Sequence, residues 1–117
     1  MTFLARIAAT LCFLAVALGA FGAHALRPKL EANGMVDVWN KAVLYHFLHA
    51  IALFILAVAG STNRGAAWLF VAGIVFFSGS LYLLALTNLS WLGPITPVGG
   101  LCFLAGWAWL IFAPTSK

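Results

Sequence analysis

Four stretches of this 117-residue chain are apolar for about the length of a membrane crossing, and that constrains its fold more than any other feature. A spanning helix needs roughly 20 mostly apolar residues at about 1.5 Å each to cross about 30 Å of hydrocarbon. The runs cover approximately 3–26, 41–60, 66–87 and 96–113. Lipid offers no hydrogen-bond partner to a backbone, so only helices or a closed barrel can cross it. Barrel strands alternate apolar with polar residues, whereas these runs are solidly apolar. The expected fold is therefore all-α, a single domain of four transmembrane helices with short loops.

Composition closes off the soluble alternative. Hydrophobic residues make up 65% of the chain and charged ones 7%, against about 25% charged in soluble domains. The net charge of +4 comes from six scattered basic residues, too few for a stripe that tracks nucleic-acid phosphates. The first run has a signal-like form: Arg6 precedes it and Ala23-His24-Ala25 resembles a cleavage site. Its apolar length exceeds the usual core of about 7–15 residues, so it is kept as a span. Arg6, Arg64 and Lys117 fall on one side of the membrane, and Arg27, Lys29 and Lys41 on the other. That tie gives no orientation by the positive-inside rule. The uncharged loop from Asn88 to Ile95 and the basic start point to cytoplasmic termini.

Small residues mark where helices in lipid approach closely. Ala15-x-x-x-Gly19-x-x-x-Ala23 places one such face on the first span, which Ala8, Cys12 and Gly22 extend; Gly73 serves the third, and Gly99 and Gly106 the fourth. They form either an internal seam or a homo-oligomer interface. By this reasoning Gly19→Leu disrupts packing more than Phe13→Leu. In the loops, Pro28 suits a first helical turn, Asn33-Gly34 a turn, and Asp37 a cap on the second span. Thr96 is expected to cap the fourth span, with Pro97 in its first turn. Pro94 then holds the preceding loop against the helices and protects the Ile95 amide. Trp39, Tyr45, Trp68, Trp91 and Trp107 suit the interfacial aromatic belt.

Candidate chemistry is concentrated in the histidines. His46 and His49 lie one turn apart on the second span, with Tyr45 a turn before His49, and His24 ends the first span. Ionisable groups within a membrane are costly and face the interior. Three readings stay open. Neutral imidazoles can tie helices together, form a site for a proton, lipid headgroup or small polar molecule, or ligate a metal or haem. His-x-x-His alone supplies no third or fourth ligand, so no metal and no cofactor is expected. Ser78 and Ser80 have no neighbouring base and suit helix packing. Glu31 and Asp37, the two acidic residues, share one loop. No nucleotide loop or nucleophile elbow is present, and Cys12 and Cys102 act as small apolar residues.

Several motifs carry a resemblance. Gly19-Ala-Phe-Gly-Ala-His-Ala-Leu26, Trp39-x-x-Ala-x-x-Tyr45-x-x-x-His49-Ala50, Phe77-Ser-Gly-Ser-Leu-Tyr-Leu-Leu-Ala-Leu86 and Gly93-Pro-Ile-Thr-Pro-Val-Gly-Gly100, with Gly106-Trp107, run in order along nearly the whole chain. They resemble the domain of unknown function 423 family, whose eukaryotic relatives are called transmembrane protein 256. The resemblance implies a small four-helix plasma-membrane protein and no assigned activity or ligand. His24 and His49 fall on its pattern, and His46 between the matched positions.

The expectation is a non-enzymatic plasma-membrane protein that acts by packing. It would be surrounded by membrane lipids, as a homo-oligomer or an accessory of a larger membrane complex. The alternative is a site or conduit for a lipid, quinone or proton, centred on His24, Tyr45, His49, Ser78 and Ser80. In either case His24 and His49 should face inward, close together near one membrane surface, because a lipid-facing imidazole strands two polar nitrogens.

Overall fold

The computed structural model describes residues 2–60 and 63–113; of the polar turn between the second and third spans, Ser61 and Thr62 fall outside them. The first span, α1 (Phe3–Ala23), starts at Thr2, whose hydroxyl accepts the Ala5 N–H at 3.1 Å. It ends at Ala23, three residues before the expected Leu26, because the backbone leaves helical geometry at His24. A short helix α2 (Arg27–Ala32) comes next, with Pro28 in its first turn where a missing N–H costs nothing. Gly34, at φ 66°, then reverses the chain.

The second span, α3 (Val36–Val58), begins five residues earlier than hydropathy alone predicts. Asp37 is therefore in its first turn rather than at the cap, where a carboxylate still favours the positive end of the helix dipole. Trp39 is 1% exposed and its indole N–H donates to the Leu18 carbonyl at 3.0 Å. It belongs to the core and not to an interfacial belt.

The third span is one continuous rod with a changed pitch in the middle. Helix α4 (Arg64–Gly73) passes through a π-helical turn (Ile74–Ser78) into α5 (Gly79–Thr87). Asn88 stops it in the left-handed region at φ 58°, a conformation asparagine tolerates. The Asn33 amide reaches across from the α2 end and donates to the Ala85 carbonyl at 2.9 Å. That satisfies one of the carbonyls a helix end leaves free.

A 3₁₀ helix (Ser90–Ile95) buries Leu92 and leads straight into α6 (Thr96–Phe112), so the Pro94 loop is folded against the bundle. Thr96 is the first residue of α6, not its cap; Gly93 takes up its N–H, and its hydroxyl turns to Ser80. Pro97 lies in the first turn as expected.

The four spans form a flattened bundle of 48 × 28 × 17 Å, packed in the order α1, α3, third span, α6, with no extended contact between α1 and α6. Along α3 the buried positions are Trp39, Ala42, His46, His49, Ala50, Leu53 and Ala57. Apart from the adjacent pair His49 and Ala50, these steps of three and four describe one inward stripe. The α1 side of that seam is Ala8, Ala15 and Gly22. Gly19 faces Val43, where an added Cβ would sit at an unstrained 3.4 Å. At Gly22 it would lie 2.2 Å from the Trp39 indole nitrogen. Gly22 therefore marks the close approach on α1, and Ala23 is exposed, off the seam.

Between the third span and α6 the fit is reciprocal. Phe103 of α6 lies against Gly73, and Phe70 of α4 lies against Gly106. At Gly99 the helices touch backbone to backbone: a Cβ there would meet the Phe77 nitrogen at 2.1 Å. The π turn is the part of the third span that receives this contact.

Candidate functional site

The polar groups of the interior gather on α3 and the spans beside it, and the two α3 histidines face different seams. His49 is 13 residues, or about 20 Å at 1.5 Å per residue, from the start of a 23-residue helix. That is near mid-depth rather than near one surface. The early start of α3 accounts for the difference.

His49 is enclosed by aromatic rings. Its ring stacks on Phe103 with centroids 3.7 Å apart and planes at 13°, and meets Phe70 edge-on at 5.3 Å. The Trp107 indole N–H donates to Nε2 at 3.0 Å. An acceptor at Nε2 fixes the neutral tautomer with its proton on Nδ1, and Nδ1 donates to the Tyr45 carbonyl at 2.7 Å. Both ring nitrogens are thus used within the protein. Room for this cage comes from Gly73 and Gly106, which let Phe103 and Phe70 approach.

His46, 3% exposed, turns toward α1 and α5. Its Nδ1 lies 2.7 Å from the Tyr82 hydroxyl. Nε2 is buried and closes no hydrogen bond. Either nitrogen of a neutral imidazole can carry the proton, so Nδ1 pairs with the Tyr82 hydroxyl as donor or as acceptor. Tyr82 also packs on the buried Trp39 ring at 4.8 Å.

The hydroxyls join neighbouring spans. Ser78 donates to the Ala42 carbonyl of α3 at 2.8 Å, within the core. Ser80 donates to the Phe77 carbonyl at 3.0 Å, leaving its oxygen to accept from Thr96 at 2.6 Å. Ser78 ties the third span to α3, and Ser80 ties it to α6.

The expected constellation is therefore only partly assembled. His49, Ser78 and Ser80 are inside. His24 is exposed at the end of α1 and its pairing with His49 does not form. The cause is the break at Ala23, which puts His24 beyond the helix in the turn while His49 lies deep in α3. Tyr45 is 39% exposed; its carbonyl, not its ring hydroxyl, is what His49 uses. Sequence reasoning misses His46, Tyr82 and Trp107 as site residues. The three-and-four stripe on α3 includes both histidines and omits Tyr45, so it is a usable signal for His46. No comparable signal marks Trp107, which is 44% exposed yet turns its N–H inward. Among the described residues no three of His, Cys, Asp and Glu come together.

Four apolar helices long enough to cross a bilayer, joined by short links and pinned by buried polar pairs, define a small polytopic α-helical membrane protein. Residues 18–100 match the profile of the family described as protein of unknown function (DUF423), and the chain belongs to that family. It is 49% identical over 112 residues to the UPF0382 membrane protein SH2409 of Staphylococcus haemolyticus, covering 92% of this chain and 91% of that one. It is 46% identical over 106 residues to the UPF0382 membrane protein YwdK of Bacillus subtilis, covering 86% and 85%. No solved structure matches.

Proposed function

We propose that this is a non-enzymatic plasma-membrane protein with cytoplasmic termini that acts by helix packing, as a homo-oligomer or as an accessory of a larger membrane assembly. The observation that carries this reading is the closure of His49: both nitrogens are engaged by Tyr45 and Trp107, and aromatic rings stack on it and meet it edge-on. An imidazole meant to relay protons or hold a ligand needs a nitrogen free to exchange partners. This one serves as a pin between α3 and α6. Native mass spectrometry after extraction in a mild detergent tests the proposal. Multiples of the chain mass, or a stoichiometric second membrane protein, are the expected result. A monomer carrying nothing but lipid would refute it.

One observation favours a second reading, a site for a quinone or a proton. It is the buried Nε2 of His46, beside a Tyr82 hydroxyl that already holds Nδ1. Such a site would lie on His46 and Tyr82 rather than on His24 and Tyr45. A bound quinone in the same spectra, lost in Tyr82→Phe, is its test.

A further inference from the structure

At the end of the bundle where α1 and α4 begin and α3 finishes, the surface carries a cleft of about 280 Å³. Phe3, Leu4, Ala57, Gly60, Arg64 and Trp68 are among its walls. Among the described residues no acidic side chain lies at this end. The chain has two acidic side chains, Glu31 and Asp37, and both lie at the opposite end of the spans, on α2 and at the start of α3. There Arg27 pairs with Glu31 at 3.4 Å. Arg64 has no aspartate or glutamate at its own end, and Arg6 lies within a turn of the α1 residues that line the cleft.

We infer that this cleft binds the phosphate of an anionic phospholipid headgroup, with Arg64 as its counter-ion. Arginine offers a planar fork of N–H donors suited to phosphate oxygens. The cleft is bounded by the first turns of α1 and α4, whose dipoles favour an anion, and by the last turn of α3, whose dipole opposes one, so the arginine charge decides the sign. Two features favour a lipid over free phosphate. The cleft opens at the membrane boundary, where tryptophan suits headgroup depth. It is flanked by Phe3 and Trp68, exposed by 74% and 46%, beside which an acyl chain can lie.

The test is native mass spectrometry of the full chain from mixed micelles containing equal phosphatidylglycerol and phosphatidylcholine of matched chains. Wild type should retain phosphatidylglycerol preferentially. R64Q, at an exposed position, should lose that preference by about fivefold, the effect of one basic residue at an anionic surface. R64K, which keeps the charge but lacks the guanidinium fork, should retain only part of it. R27Q makes the same charge change at the other end and should leave the preference intact. Equal losses in R27Q and R64Q would overturn the assignment by reducing it to overall charge. Displacement of the lipid by inorganic phosphate would overturn it in favour of a soluble anion.

Discussion

Replacing Trp107 by Phe removes the one donor to His49 Nε2, at a position where burial makes the loss costly. His49 is 6% exposed, so no water replaces the lost indole N–H. A buried acceptor left without a partner costs about 1–3 kcal/mol. His49→Phe removes the acceptor but keeps an aromatic ring on Phe103, so its main cost is a stranded indole N–H. The Tyr45 carbonyl loses the imidazole but keeps its place in the helix ladder. In the double variant neither group is stranded. Its cost should fall short of the sum of the singles by about 0.6–1.7 kcal/mol, the average and upper range for hydrogen bonds between membrane helices. Equilibrium unfolding in mixed micelles with sodium dodecyl sulfate, monitored by far-ultraviolet circular dichroism, measures all four proteins. Trp91, 62% exposed, supplies the control: Trp91→Phe should add to His49→Phe without coupling. Additivity of the Trp107 and His49 changes within about 0.3 kcal/mol would refute the role given to this bond.

Gly99→Ala should destabilise by at least about 1–3 kcal/mol, the usual cost of overpacking, because the Phe77 backbone it meets cannot rotate away. Gly100→Ala, whose Cβ comes no nearer than 3.9 Å to Phe77, should be near neutral in the same unfolding assay. Gly22→Ala should cost more than Gly19→Ala, since the Trp39 indole is anchored on Leu18 while Val43 stands at 3.4 Å; equal tolerance in thermal denaturation would contradict the α1 seam. Tyr82→Phe should destabilise by about 1–3 kcal/mol through loss of the partner to His46 Nδ1, and an unchanged melting temperature would show that this hydrogen bond contributes nothing.

Much of the architecture is written in local sequence. Apolar length alone dictates four helices, because lipid leaves a backbone no other way to satisfy its hydrogen bonds. Asn33-Gly34, Pro28 and Pro97 mark their turns and first turns through backbone geometry, which a residue carries wherever it stands. Gly73, Gly99 and Gly106 are legible as contacts because a missing side chain has few other uses in a span.

Which groups meet is not legible there. His24 and His49 share a motif pattern, yet a helix break at Ala23 and an early start to α3 separate them. Hydropathy cannot see either boundary, since the residues around both are compatible with helix or turn. Trp39 and Trp107 have the composition of belt residues. Only the packed neighbours, Leu18 on α1 and His49 on α3, give their N–H groups interior partners. The π turn at Ile74–Ser78 has no signature in its own five residues. It lies where the Phe77 backbone meets Gly99, and that contact exists only once α6 is in place. Sequence alone determined what could cross the membrane, because that depends on each segment's own backbone and polarity. The tertiary structure decided which polar atoms pair between spans, because the Trp39, Ser78 and Trp107 donors find their acceptors on a different helix.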